Sequence, residues 1–354
     1  MTHAITLSGG GAYGAFEVGV LKALMGGHAP VTGGDPLDPK IFTGTSAGAY
    51  LSAVLLSTDP PDPAARIGHL ERIWLEEVME SPQRGGNGVY YLRGDPRRYL
   101  DRSLLARQPS APLRLAAEDV SFFASDLLTR VAALATSREP LDRRALELFD
   151  LSAFVSTEPF HDLVKRTVSI DAIRNSGRLI RIAATNWKSG DLATFGNADI
   201  THDAVLASAA IPGIFPAVRI GADPYMDGGI LMNTPLKPAI DLGADVVHVV
   251  ALDPSIQNVP PSSLPNTLDT IERLLNITNS SRIETDLKLA AAVNRGLAND
   301  PAHRPVQVHV YRPRADMGGV FGMLNFSADR MQRLIALGYQ EAVAHDCRRS
   351  GCVV

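Results

Sequence analysis

The stretch from Ile41 to Ser57, IFTGTSAGAYLSAVLLS, constrains this chain more than any other. Gly44, Ser46 and Gly48 spell G-x-S-x-G, with apolar Ile41 and Phe42 before them and an Ala- and Leu-rich run after. That order reads as strand, sharp turn, helix. A serine at such a turn is lifted out of the backbone, and glycines two positions away on each side remove side chains that would collide. The following helix adds backbone N–H groups and a positive dipole end near any developing negative charge. The same letters also suit a small-residue turn that packs a helix on a sheet, so the rest of the chain must decide.

A similar unit precedes it. Ala4 to Leu7 reads as a strand and Ser8-Gly9-Gly10-Gly11 as a loop. Ala12 to Met25 reads as a helix, because Phe16, Val20, Leu21 and Leu24 recur at helical spacing. The loop leaves bare N–H groups at a helix N-terminus, a place that binds anions. In a parallel sheet both turns open at the same carboxyl edge. An anion-binding loop beside an exposed serine is what acyl transfer needs, and one oxyanion donor is worth about 10² to 10³ in rate. Gly9, Gly11 and Gly14 also satisfy G-x-G-x-x-G, the dinucleotide fingerprint. That alternative needs an acid at the end of the second strand. Asp35 and Asp38 are near the right distance but lie in GGDPLDP, which is turn chemistry.

With 354 residues the chain can form one large domain or two ordinary ones. Its 45% hydrophobic and 20% charged residues fit a soluble globular protein with a substantial core. A net charge of −4 gives no reason to expect nucleic acid as a partner. Cys347 and Cys352 are too few for a disulfide framework, and no Cys/His cluster has zinc spacing, so no metal and a cytoplasmic setting are expected. The N-terminus lacks a secretory signal pattern and no run of 18 apolar residues occurs, so membrane contact is expected to be peripheral. Cys352 is third from the end and misses the prenylation pattern.

Residues 58–165 differ in character and read as a helical insertion or cap over the sheet edge. Helical patterns occupy Arg66 to Glu80 and Ala116 to Ala135. Between them lie six arginines from Arg84 to Arg107 against two aspartates, read as a solvated face in preference to a lipid-head-group patch. Val120, Phe122, Phe123, Leu127, Leu128 and Val131 form an apolar helical stripe. Core packing is the expected account, and a lipid-contacting lid the sharper one. Further on, Leu179 to Ala184 reads as a strand, ASAAIPGIFP (Ala207 to Pro216) as a helix end and rigid loop, and Asp245 to Leu252 as a strand buried on both faces. Val306 to Tyr311 reads as a last strand and Ser327 to Ala344 as a last helix. In PYMDGGILMNTPL, Asp227 is either part of a hairpin turn or a carboxylate left open by two glycines.

A serine nucleophile needs a base. In a Ser…Asp…His order His248, His303, His309 or His345 would follow Asp227, giving a general serine esterase. None sits in a turn context that would expose it at a sheet edge. The alternative base is Asp227 itself, a weak base in bulk water that burial strengthens.

Four motifs in order, SGGGAYG (Ser8 to Gly14), GTSAG (Gly44 to Gly48), ASAAIPGIFP and DGG (Asp227 to Gly229), resemble the patatin-like phospholipases. The closing LNFSADRMQRLIALGYQEA resembles the end of bacterial members, so the resemblance covers about residues 3–346 as a single domain and leaves 347–354 as a tail. It implies an α/β three-layer αβα sandwich with a central, mainly parallel sheet. It implies a Ser46–Asp227 dyad, an oxyanion hole at Gly9, Gly10 and Gly11, and a nucleophile elbow framed by Gly44 and Gly48. The implied reaction is metal-free hydrolysis of a fatty-acyl ester in a phospholipid or lysophospholipid through an acyl-enzyme, with no cofactor. Tyr13 stands where the family often has Arg or Lys, which bears on head-group preference.

Overall fold

A computed structural model of the chain describes residues 1–58, 62–81, 86–100, 105–106, 108–136, 151–259, 267–300 and 304–354. In chain order the strands are β1 (His3–Leu7), β2 (Ile41–Thr45), β3 (Tyr91–Leu92), β4 (Val155–Ser156), β5 (Leu179–Asn186), β6 (Leu192–Gly196), β7 (Val218–Ile220), β8 (Asp223–Asp227), β9 (Val246–Val250) and β10 (Gln307–Tyr311). One 8-stranded sheet has the order β10-β9-β1-β2-β5-β8-β7, with β6 also paired to β5. From β10 to β5 the pairings are parallel, and β6, β7 and β8 join antiparallel.

The central strands are short apolar runs because both faces are covered. Ile5, Leu7, Phe42 and Val250 point into one core, with helices α1 (Gly14–Met25), α2 (Ala47–Ser57), α3 (Pro63–Ile73) and the helix Ala328–Val343. Their neighbours Ala4, Ile41, Val247 and Val249 point into a second core, with Leu236, Ala239, Ile283 and Leu287 from the helices Leu236–Asp241 and Thr267–Gly296. Alternation along each strand thus builds a three-layer αβα sandwich. The first core contains a close helix crossing: a Cβ on Gly19 would lie 2.0 Å from Ile335 O, and one on Gly338 2.0 Å from Phe16 O.

Between α2 and β5 the chain departs from the sheet. β3 and β4 pair antiparallel as a separate ribbon, and a long helix spans Ala111–Thr136. Its apolar stripe does not pack into a core as the spacing suggested. Leu128 is 70% exposed, Val120 68% and Leu127 57%. Phe123 alone of the stripe is half-buried, against Phe154 at 5.3 Å. The helical period was correct, but among the described residues no layer covers this face. Arg93 and Arg98 from the basic run are tied internally: Arg93 lies over the Phe122 ring at 3.8 Å, and Arg98 pairs with Asp119 at 3.2 Å. Arg84, Arg102 and Arg107 lie outside the described residues.

Candidate active site

Thr45 ends β2 and Ala47 begins α2, so Ser46 alone makes the turn. It adopts φ 54° and ψ −120°, and among the described residues no other non-glycine has a positive φ. Such a conformation costs on the order of 1–3 kcal/mol and persists only where surroundings over-determine it. Here they do. Ser46 N–H donates to Ser208 Oγ at 2.9 Å, and that hydroxyl donates to Ala183 O at 2.6 Å. Gly48 N–H donates to Ser8 O at 3.2 Å. A Cβ on Gly44 would sit 2.3 Å from Gly48 O, and one on Gly48 would sit 2.6 Å from the Leu7 carbonyl. The flanking glycines are therefore demanded by the close passage of α2 over the ends of β1 and β2.

Sheet register brings Asp227 to this turn. β6 takes one edge of β5 across residues 181–185. On the other edge β2 ends by pairing Thr45 with Ala183, and β8 pairs Asp227 with Ala184, the next residue along. β2 and β8 thus abut end to end, and the last residue of β8 meets the residue just after β2. Asp227 N–H donates to Ala210 O at 2.9 Å, and its Oδ1 accepts Gly229 N–H at 2.7 Å. Both glycines after it have steric reasons: a Cβ on Gly228 would lie 2.3 Å from Ala183 O, and one on Gly229 2.8 Å from Asn233 Oδ1 and 3.1 Å from Asp227 Oδ1. Burial pushes the Asp227 carboxyl up to about 6, against hydrogen bonds from Gly229 N–H and the Ser46 side chain that pull it down.

The glycine loop lies on the third side. Gly9 N–H donates to Asn233 O at 3.0 Å, while Asn233 Nδ2 donates to Gly9 O at 3.2 Å. Ser8 N–H donates to Glu17 Oε1 at 2.8 Å. Glu17 is fully buried, burial pushes its carboxyl pKa up against the hydrogen bond from Ser8 N–H, and its side chain anchors the start of the loop. The N–H groups of Gly10 and Gly11 take no acceptor among the described residues. Gly11 has φ 54°, and a Cβ there would lie 2.4 Å from Met323 O. A side chain at Gly10 would lie 2.5 Å from Leu252 Cδ1.

Gly9, Gly10, Gly11, Ser46 and Asp227 line one cavity of about 280 Å³. Asn233, Asp253, Asn279 and Asp316 supply its polar wall. A smaller, apolar pocket opens from Gly11, Ser46 and Ile211 and runs under Tyr50, Trp74, Phe160, Phe215 and Phe326. The serine thus stands between a larger, mostly apolar chamber that carries these polar side chains and a smaller apolar slot.

Other candidates fall elsewhere. His248 is buried between the rings of His3 and His309, with centroids at 5.4 and 5.3 Å. His248, His309 and His345 do not line the Ser46 cavity, and His303 lies outside the described residues. Asp38 is held by Lys40, Arg66 and Arg178, cations that keep its carboxyl well below the usual range, and Asp35 is exposed on a turn. Neither is placed to hold a ribose. Tyr13 turns inward and donates to Gly319 O at 2.6 Å, and the Arg330 guanidinium lies 5.6 Å from its ring centroid. A cation from the last helix thus stands close to the position where the family often has one.

Sequence reasoning did not single out Asn233, Ser208, Glu17 or Asp253. Asp253 follows the carboxyl end of β9, a position that in parallel sheets faces the ligand crevice. Burial pushes its carboxyl up to about 6, against hydrogen bonds from Asn279 and Asn233. For Ser208 and Asn233, small polar residues in unremarkable surroundings, the sequence carries no comparable signal.

A family model described as patatin-like phospholipase matches residues 5–240. The chain belongs to that family, a family of lipid-hydrolysing enzymes. β9 and β10 lie beyond the matched span and pair within the same sheet. No curated protein sequence matches the chain. Among solved structures it is similar to VipD from Legionella pneumophila, at 15% identity and a TM-score of 0.41, covering 97% of this chain and 66% of that one. It is also similar to the type III effector protein ExoU, at 18% identity and a TM-score of 0.32, covering 99% of this chain and 53% of that one. The chain therefore spans less than two thirds of the length of either.

Proposed function

We propose that the protein is a phospholipase A or lysophospholipase that cleaves fatty-acyl esters through Ser46 and Asp227. The observation that carries this is the end-to-end meeting of β2 and β8, which sets a buried carboxylate beside a strained serine in the cavity lined by Gly10 and Gly11. At neutral pH a carboxyl near 6 is mostly ionised yet far more basic than an exposed one. Asp227 takes the Ser46 proton as Oγ attacks the acyl carbonyl. The N–H groups of Gly10 and Gly11 hold the oxyanion, and the loop, pinned through Gly9 and Ser8, needs no reorganisation to do so. The leaving lysolipid or alcohol receives the proton from Asp227. Asp227 then deprotonates a water that attacks the acyl-enzyme, and it returns that proton to Ser46 Oγ as the fatty acid leaves.

The two spaces beside Ser46 divide the substrate. The apolar slot under Trp74 and Phe160 suits the acyl chain, and the larger chamber, which alone carries Asn233, Asp253, Asn279 and Asp316, suits the leaving group. Asp253 and Asp316 on the chamber wall disfavour an anionic head group. Leu275 lines the chamber and is exposed, as are Leu274 beside it and Phe321, and these apolar side chains suit a peripheral lipid encounter in the cytoplasm. No described helix is long and apolar enough to cross a membrane.

The deciding experiment is mass spectrometry of products from a mixed panel of zwitterionic and anionic phospholipids, lysophospholipids and neutral lipids. Wild type should release free fatty acid, favouring zwitterionic substrates, and Ser46→Ala should not. Release undiminished in Ser46→Ala defeats the reading.

A further inference from the structure

The C-terminal residues fold back onto an end strand of the sheet. Val308 N–H donates to Val353 O at 2.7 Å and Val353 N–H to Val308 O at 2.9 Å, so the chain end is bridged to β10. Asp346 caps the short turn Cys347–Ser350 through Arg348 N–H at 3.0 Å. This path places three side chains of the tail around one side chain of β10. His309 Nδ1 lies 3.3 Å from Cys347 Sγ. His345 Nε2 lies 3.5 Å from Cys347 Sγ and 3.5 Å from Cys352 Sγ. All four donor atoms fall within 4.8 Å of one another.

We propose that His309, His345, Cys347 and Cys352 form a structural zinc site that ties the C-terminal tail to β10. Two thiolates and two imidazoles are the donor set that selects tetrahedral Zn²⁺. Bonds of about 2.3 Å to sulfur and about 2.0 Å to nitrogen, at tetrahedral angles, put donor atoms about 3.3 to 3.8 Å apart. The separations of 3.3, 3.5 and 3.5 Å already lie in that range. Thiols are weak hydrogen-bond partners, so hydrogen bonding gives little reason for four such groups to converge. The surroundings fit as well. Val310 N–H points at Cys352 Sγ at 3.3 Å, a contact that supports a metal thiolate. His248 stacks on His309 at 5.3 Å and Tyr311 packs on His345 at 4.4 Å, which fixes both rings. All four ligands are half-buried, leaving an entry path.

Binding releases one proton from each thiol to solvent and changes no oxidation state. Four protein ligands leave no open position, and none of the four lines the Ser46 cavity, so the role is tethering. The pattern H-x-C-x₄-C of the tail escapes a sequence search for zinc spacing because its fourth ligand comes from β10.

The test uses untagged full-length protein purified without chelator or added metal. Mass-spectrometric metal analysis should find about one zinc per chain, falling at least about tenfold in Cys347→Ser, Cys352→Ser and His345→Ala. Co²⁺ added to chelator-stripped wild type should give the intense visible absorption of a tetrahedral cobalt–thiolate centre. Both thiols should react fast with an aromatic disulfide reagent when stripped and slowly when reloaded with Zn²⁺. These two measurements decide the matter even where a variant fails to fold. Zinc-free protein that also fails to take up equimolar Zn²⁺ would overturn the proposal. So would zinc retained in the variants, or an intact mass two hydrogens short from a Cys347–Cys352 disulfide. Stripped protein with an unchanged thermal midpoint would refute the tethering role.

Discussion

The turn at Ser46 and the helix Ala111–Thr136 are both recognisable from local spacing, yet the molecule treats them differently. Around Ser46 each small residue answers to a neighbour within van der Waals distance: Gly44 to Gly48, Gly48 to Leu7, Gly228 to Ala183. Along the long helix only Phe122 and Phe123 of the stripe meet a neighbour among the described residues, Arg93 and Phe154, while Val120, Leu127 and Leu128 stand exposed, Leu128 at 70%. Spacing reports the shape of an element, and only opposing atoms give that shape a consequence. A stripe at helical period states that a face exists, not that something covers it.

The sharpest way to break this comparison is chemical. Ser46→Ala and Asp227→Asn should each lower fatty-acid release by about 10⁴-fold or more, measured with a pure lysophospholipid. An Asp227→Asn variant with near-normal turnover would place the base elsewhere.

Next comes pH. With Asp227 as base, kcat/KM should fall about tenfold per unit below a pH of about 6. Asp253 titrates in the same range, so Asp253→Asn should leave that acid limb in place, and its disappearance would reassign the limb. Stability runs the other way. The folded-state pKa of Asp227, about 6, lies above the unfolded value of 3.8, so holding the carboxylate destabilises the fold as pH rises through that window. Asp227→Asn should therefore gain up to roughly 3 kcal/mol at pH values above about 6 and nothing below about 4, read by denaturant unfolding.

Packing effects are smaller. Gly48→Ala, whose Cβ would lie 2.6 Å from the Leu7 backbone, should cost about 1–3 kcal/mol and lower the thermal midpoint. At the other extreme, Leu128→Ser should stay within about 0.5 kcal/mol of wild type. Equal losses at these two sites would erase the contrast between them. A Leu128→Ser protein that unfolds much more easily would show that its face is covered after all.

Much of the architecture was legible because it rests on strands too apolar to face water. The VVHVV run of β9 has one place to go in an α/β protein, and it pairs between β1 and β10. The glycine loop and the serine turn were legible for a related reason, since glycine leaves a visible letter wherever backbones approach. Asp227 was ambiguous in the sequence because Asp-Gly also closes hairpins; in the structure β8 ends at Asp227 and a short helix, Gly229–Met232, follows instead of a returning strand. Glu17 was hidden because a glutamate on a helix normally faces solvent, and only the Ser8 N–H opposite it explains its burial. Ser208 and Asn233 were hidden because their partners, Ala183 O and the Gly9 backbone, are atoms every residue carries.

The abutment of β2 and β8 along one edge of β5 has an evolutionary corollary. A strand presents alternate side chains to opposite faces, so its position can change only in whole residues, and each single step reverses parity. One residue added to or lost from β8 would send the carboxylate of Asp227 to the far side of the sheet. The separation of Ser46 and Asp227 is therefore not a continuous variable that loop mutations can tune. Drift can lengthen the connections around β7 and β8, but a shift of β8 along β5 by one residue ends the pairing with Ser46 outright.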